Sequence, residues 1–499
     1  MIFSVNQSSI LPVNRIILSA VIFIFCSLIL LFSFIALRRK LKGQRIKIFG
    51  VWTVFSLLAA LLLYYTGFFG TYIDVQAAQD KNYSREELVQ DLKQIESAIM
   101  DENPLIFTYR EKLKADFAQR YNLIEDGMTE LEFYRLINPL IANINCGHTN
   151  LYISEALEKN REEKAKFFPL QVTLINNELF FLEDDPESGI KTGNKIKTIN
   201  DLNSEKIIEK LIENISGDGD GEAKQRYIIS NYFNSSFYDF VDNSDKFIVE
   251  YFDGNGNQLT ADLNAEQNSS YNLTSWSLHF AAYRDGNYYD NQIFNDYALL
   301  DLNVFMQEKE EKFDDFLEDF FLELKEEEIP NLVIDLRGNF GANPFMSKTL
   351  LSYLVNKETE YFTDDLPFLQ RLLGFADPIE AAENNFEGEL VLLTDGANFS
   401  TAAHFTAFFK YNKLGTIVGS ETGGSYVCTD SSKDLVLSNT RMRLHYSTLV
   451  YELAVEGLPK NMGIKPDIVV KREINDLLNK KEPQLEQALE ILKSKGDFL

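Results

Sequence analysis

The chain has 499 residues, 45% hydrophobic and 13% aromatic, a globular composition too long for one compact core, so several domains are expected. It carries 75 acidic against 48 basic side chains, a net charge of −27. A field of that sign repels nucleic acid and anionic lipid, which excludes a nucleic-acid partner and leaves any substrate unnamed.

Ile16–Leu37 runs 22 residues without a charge, and Ile48–Ile73 is a second uncharged stretch. Each exceeds the roughly 20 residues a spanning helix needs, so residues 1–75 are expected to form a transmembrane hairpin of two helices. A removable signal peptide is the competing reading of the first stretch. Its basic region would be Arg15 alone, and a second span follows. The loop between the spans carries Arg38, Arg39, Lys40, Lys42, Arg45 and Lys47 with no acid among them. The positive-inside rule makes that loop cytoplasmic, so the long remainder is expected to be extracytoplasmic on a multi-pass protein of the cell membrane. Three cysteines occur; Cys146 and Cys428 would both lie outside, where they either pair or remain two buried thiols.

Residues 80–165 read as a helical N-terminal region. Ser84 and Glu87 form a capping-box start, and Leu88, Leu92, Ile95 and Ile99 follow at helical spacing. Asn103-Pro104 ends that helix, because the residue before proline is pushed out of helical geometry. A second helix, Glu130 to Ile144, leads into Asn145-Cys146-Gly147-His148-Thr149. Residues 166–268 change period. Leu170–Leu174 and Glu178–Phe181 alternate as strands do, and Gly193–Asn200 has a turn feeding a strand before a helix from Ser204. This β-rich stretch is similar to PDZ domains, although no clear carboxylate-binding loop precedes it. Gly217-Asp218-Gly219-Asp220-Gly221 lacks the last glutamate of a calcium loop and reads as a flexible acidic turn.

Over residues 272–475 strands and helices alternate, the pattern of an α/β core. Phe313, Phe316, Leu317, Phe320, Phe321 and Leu324 make the apolar stripe of an otherwise acidic helix. Strand Leu332–Leu336 feeds the loop Arg337-Gly338-Asn339-Phe340-Gly341-Ala342, after which Asn343 as N-cap and Pro344 open the next helix. Residues 476–499 hold a C-terminal amphipathic helix, Glu482–Lys495, expected to dock on the core.

The apolar run Leu390–Leu393 stops at Thr394-Asp-Gly-Ala-Asn-Phe and restarts as a helix at Ser400. A hydroxyl at a helix N-terminus sits where backbone N–H groups and the positive end of the dipole favour developing negative charge. An isolated Ser-Thr pair there reads as an N-cap; a nucleophilic serine needs the same setting.

Five segments stand in order: Cys146-Gly-His-Thr149, Asp335-Leu-Arg-Gly-Asn-Phe-Gly-Ala342, Asn398-Phe-Ser-Thr-Ala-Ala403, Gly419-Ser-Glu-Thr-Gly-Gly424 and Gly463-Ile-Lys-Pro-Asp467. In this order and spacing they resemble the C-terminal processing peptidase and tricorn-core family of serine peptidases, over about residues 84–495. The resemblance implies a crotonase-like (ClpP-like) α/β core, Ser400 as nucleophile, and an oxyanion hole from the amides of Gly341 and Thr401. The chemistry agrees independently, since a glycine-rich loop after a strand lets the backbone approach a substrate closely. Arg337 and Asn339 are read as braces of that loop.

Members of the Ser-Lys type carry a lysine 25 residues after the serine, and here that position is Ser425. The tricorn-like branch instead takes its base from a Gly-His-Thr segment, which His148 matches. Of the other histidines, His404 lies one turn after Ser400 and points along the helix side. His445 and His279 are assigned structural or surface roles. The family's orienting glutamate has no direct counterpart, the nearest position being Lys460; Glu456 is taken as the acid, with Glu452 behind it. No metal-ligand or nucleotide motif is present, so neither metal nor cofactor is expected. The resemblance implies a serine endopeptidase, and with the two expected spans the reading is a membrane-anchored one acting on extracytoplasmic proteins or peptides. Its rival is a catalytically inactive binding protein of the same fold at the cell surface.

Overall fold

The computed structural model describes residues 81–268, 288–307 and 312–496. The chain divides into two units, residues 1–75 and 76–499, and the described residues all lie in the second. The expected membrane hairpin and His279 lie outside the described residues; among those described, no helix is long and apolar enough to cross a membrane.

The second unit begins with helices α1 (Arg85–Glu102), α2 (Arg110–Leu123) and α3 (Glu130–Ala142). Ser84 and Glu87 cap α1 reciprocally, Thr129 and Glu132 do the same for α3, and Asn103 leaves α1 in an extended conformation. Strand β1 (Asn150–Tyr152) and helix α4 (Glu155–Lys164) follow. Next comes an antiparallel sheet, β2 (Val172–Ile175), β3 (Glu178–Phe181), β4 (Lys195–Ile199), β5 (Lys246–Phe252) and β6 (Gln258–Asn264), paired in that order. Helices α5 (Ser204–Ile212) and α6 (Ala223–Phe240) interrupt it between β4 and β5. Leu92, Ile95 and Ile137 of the helices share one buried core with Phe181, Ile196 and Val249 of this sheet and Phe233 of α6.

The α/β core has strands β7 (Tyr289–Ile293), β8 (Ala298–Leu302), β9 (Asn331–Asp335), β10 (Glu389–Thr394) and β11 (Thr416–Gly419). Helix α7 (Phe313–Glu326) precedes β9, α8 (Pro344–Ser352) follows it, and α9 (Thr401–Tyr411) joins β10 to β11. Two hairpin segments follow, made of β12 (Val427–Asp430), β13 (Lys433–Val436), β14 (Arg443–Tyr446) and β15 (Leu449–Glu452). Strand β16 (Ile468–Val469) and helix α10 (Pro483–Gly496) complete the chain. The central sheet runs β7-β8-β9-β10-β11-β16, antiparallel at β7–β8 and parallel elsewhere.

Alternate residues of a strand face opposite sides, and here both sides are covered. Leu332, Ile334, Leu390, Leu392 and Ile417 pack with Phe320, Leu350 and Phe405 of α7, α8 and α9. Val333, Val391, Leu393 and Val418 pack with Ala488 and Leu492 of α10. This double burial is why the strands read as unbroken apolar runs.

Pairing of β14 with β1, Leu444 opposite Leu151, ties the N-terminal region to the α/β core. Asp91 of α1 adds to the tie by accepting from Thr440 N at 2.8 Å and Thr440 Oγ1 at 2.7 Å. The loop just before β1 carries His148 and is thereby brought to Ser400, 252 residues further on.

Candidate active site

Strand β10 ends at Thr394, and the turn to α9 is wound around its own side chains. Asn398 Oδ1 accepts from Asp395 N at 2.9 Å, and Asp395 Oδ1 accepts from Ala397 N at 2.9 Å. The turn delivers Ser400 with φ +55° and ψ −125°. That conformation costs a non-glycine residue about 1–3 kcal/mol and persists only where the surroundings impose it. Phe399, wholly buried in the N-terminal core, and α9 supply that constraint. The Ser400 side chain makes no capping bond to α9. Its Oγ lies 3.2 Å from His148 Nε2, so the N-cap reading of this serine does not hold.

His148 sits in a turn closed by Thr149 N donating to Cys146 O at 2.9 Å. Three segments grip that turn. Gly147 N donates to Asp218 Oδ1 at 2.8 Å, and Gly147 O accepts from Lys224 Nζ at 3.2 Å. Ser216 Oγ donates to Thr149 O at 2.9 Å. Cys146 Sγ lies 2.8 Å from Thr429 Oγ1 on β12. The His148 and Phe399 rings stand 4.5 Å apart between centroids. Burial, aided by the positive Lys224, holds the His148 imidazole well below its ordinary value, so it is neutral near pH 7. A neutral imidazole within reach of a serine hydroxyl can accept its proton.

One expectation about this loop changes, and one open alternative is decided. The stretch Gly217–Gly221 is not a flexible acidic turn: Asp218 is 2% exposed, and Gly219 N donates to Asn145 O at 2.9 Å. Alternating glycine and aspartate signalled a tight backbone approach in place of solvation. Cys146 and Cys428 are free, buried thiols and form no disulfide.

Gly341 lies against the serine turn at φ +97°; a Cβ on it would stand 2.6 Å from Phe399 O and 2.8 Å from Thr401 N. Its own N–H, however, donates to Asn339 Oδ1 at 2.7 Å. The expectation that this amide faces an oxyanion is corrected here: the asparagine two residues back already holds it. Among the described residues, the N–H groups of Ala342 and Thr401 meet no acceptor. Thr401 Oγ1 donates to Ala342 O at 2.8 Å and fixes the two segments together. Asn339 and Arg337 act as the expected braces. Asn339 Nδ2 donates to Leu302 O at 2.8 Å, and Arg337 bonds Asp335 and Glu482, each at 2.6 Å.

The structure does not bring Glu456 to His148. Glu456 is exposed and makes no hydrogen bond or ion pair, while Glu452 pairs with Lys460 at 2.6 Å. Nearness in sequence to the Gly463 segment does not place this glutamate in the site, because the loop carries it to the surface. Ser425 Oγ donates to Lys460 O at 2.6 Å and is thereby a structural residue. His404 is buried against Phe362, and burial pushes its imidazole down to about 3. His445 pairs with Asp434 at 3.0 Å. Lys224 and Asp218 were missed as site residues; their only sequence signal is an ionisable residue within otherwise apolar or glycine-rich surroundings. Among the described residues no His, Cys, Asp or Glu cluster is arranged to hold a metal ion.

Residues 296–470 match the profile of Peptidase family S41. The tricorn protease of Thermoplasma acidophilum is 26% identical over 177 residues, 35% of this chain and 15% of that protein. The tricorn protease homolog of Saccharolobus solfataricus is 28% identical over 180 residues, again 35% of this chain and 15% of that protein. The chain therefore spans about a seventh of the length of these relatives. Mature CPAF complexed with lactacystin has the same fold at 12% identity and a TM-score of 0.60, covering 82% of this chain and 98% of that one.

Proposed function

We propose, on the premise that this chain belongs to peptidase family S41 through residues 296–470, that it is a serine endopeptidase anchored in the cell membrane with its catalytic part extracytoplasmic. The observation that carries the reading is the 3.2 Å approach of His148 Nε2 to the uncapped Oγ of Ser400. Ser400 Oγ attacks a peptide carbonyl, and His148 Nε2 takes the hydroxyl proton. The amides of Thr401 and Ala342 stabilise the developing oxyanion, the Gly341 amide being held by Asn339. The imidazolium then protonates the leaving amine, the C–N bond breaks, and an ester of Ser400 remains. Water, deprotonated by His148, releases the acid product and regenerates the hydroxyl. The substrates are proteins or peptides outside the membrane. The central sheet is read as crotonase-like and the sheet β2–β6 as PDZ-like, with two spans within residues 1–75 as the anchor.

The test is labelling of the full chain with a serine-directed fluorophosphonate. Wild type should label, while Ser400→Ala and His148→Ala should not, with circular dichroism unchanged. Labelling that persists in Ser400→Ala would sink the assignment. A reporter fused to the C-terminus should be active only outside the membrane; cytoplasmic activity would overturn the topology.

A further inference from the structure

The peptide groups on both sides of Gly147 are held by buried ionisable side chains. The N–H goes to Asp218 and the C=O to Lys224. Only 2% of Asp218 and 3% of Lys224 is exposed. Isolated charges so placed are costly, and apolar side chains of similar volume would pack the site with less penalty. The Lys224 ammonium also lies 4.0 Å from the centroid of the Phe399 ring, the same ring that contacts His148. Phe399 directly precedes the nucleophile. Glycine is required at position 147, because a Cβ would stand 2.5 Å from Phe399 ring atoms and 2.9 Å from Lys224 Nζ. Two charged groups, one backbone turn and one ring therefore form a continuous contact from α6 to both partners of the Ser400–His148 pair.

Resting on the peptidase reading, we infer that Lys224 and Asp218 are positioning residues for His148. They lock the peptide units beside Gly147 so that Nε2 meets Ser400 Oγ, and Lys224 supplies the positive charge against which the imidazole must be protonated. The other charged or titratable groups facing His148 among the described residues are His445 on β14, itself paired with Asp434, and His404 on α9. Lys224 is held down to about 8 by burial, and Asp218 is pushed up to about 7 by the same cause.

The test uses the full chain in detergent micelles, with Lys224→Met and Lys224→Gln. Two readouts are taken: the rate of fluorophosphonate labelling, and the titration of His148 by histidine-selective NMR, assigned with His148→Gln. Lys224→Met should slow labelling roughly tenfold or more through misplacement of the base. It should also raise the His148 titration midpoint by about one pH unit through loss of the charge. Lys224→Gln keeps a donor for Gly147 O, so labelling should return towards the wild-type rate while the raised midpoint remains. A merely structural lysine would alter thermal stability and leave the midpoint where it is. A folded Lys224→Gln protein with an unmoved His148 midpoint overturns the inference, even if Lys224→Met fails to fold. If wild type is never labelled, the peptidase reading fails, and the NMR titration still decides whether Lys224 acts on His148.

Discussion

Replacing Gly341 by alanine probes the contact between the glycine loop and the serine turn. Two costs add. The backbone at φ +97° is one that alanine avoids, a penalty of about 1–3 kcal/mol. The new Cβ would stand 2.6 Å from Phe399 O, 2.8 Å from Thr401 N and 3.1 Å from Ser400 Cβ, where ordinary contacts begin near 3.4 Å. Roughly 0.6–0.8 Å of movement must therefore come from two backbone atoms, one on each side of Ser400. That displacement tilts Ser400 and withdraws the Thr401 amide from the oxyanion position. Loss of one such donor costs about a hundredfold to a thousandfold in rate. Turnover of a fluorogenic peptide and fluorophosphonate labelling should both fall by that factor, while the melting temperature of so large a unit drops only a few degrees. A folded Gly341→Ala enzyme that labels at nearly the wild-type rate would refute the reasoning about this loop.

Glu456→Gln should leave labelling within about twofold of wild type, because an exposed carboxylate that bonds nothing contributes little. A large loss would return Glu456 to the site. His404 stays neutral when folded, down to about 3, whereas the unfolded chain takes up its proton below the ordinary 6.5. Stability from this group is therefore lost as pH falls from about 6.5 towards 3, and His404→Leu removes that loss. Its melting temperature should fall less than that of wild type between neutral pH and about 4.5, as scanned by calorimetry. Arg337→Met leaves Asp335 without its cation and cuts the tie to Glu482, the residue just before α10, destabilising by about 2–3 kcal/mol after allowance for partial exposure. Urea unfolding measures the loss, and limited proteolysis should release α10 first.

Local features were readable in the chain because few neighbouring residues decide them. The Ser84–Glu87 capping box, the Asn343-Pro344 helix start and the end of α1 at Asn103 each depend on backbone groups within four positions. The apolar runs of β9 and β10 likewise announced strands of an α/β core, and the structure covers them on both faces. Ser400 was placed at a strand-to-helix turn from its flanks alone. Whether its hydroxyl capped α9 or met a base depended on side-chain direction, which spacing does not carry.

What the sequence determined by itself was the kind of chain this is: its main elements, the α/β core, and the two short segments holding Ser400 and His148. Tertiary structure decided which side chains meet. It buried Asp218 beside Gly147, turned Lys224 inward, spent the Gly341 amide on Asn339 and left Glu456 in solvent. Those outcomes follow from desolvation and from contacts between residues far apart in the chain, Ser400 and His148 being 252 positions apart. A capping bond is set by the next turn of backbone; the charge state and reach of a base are set by everything packed around it.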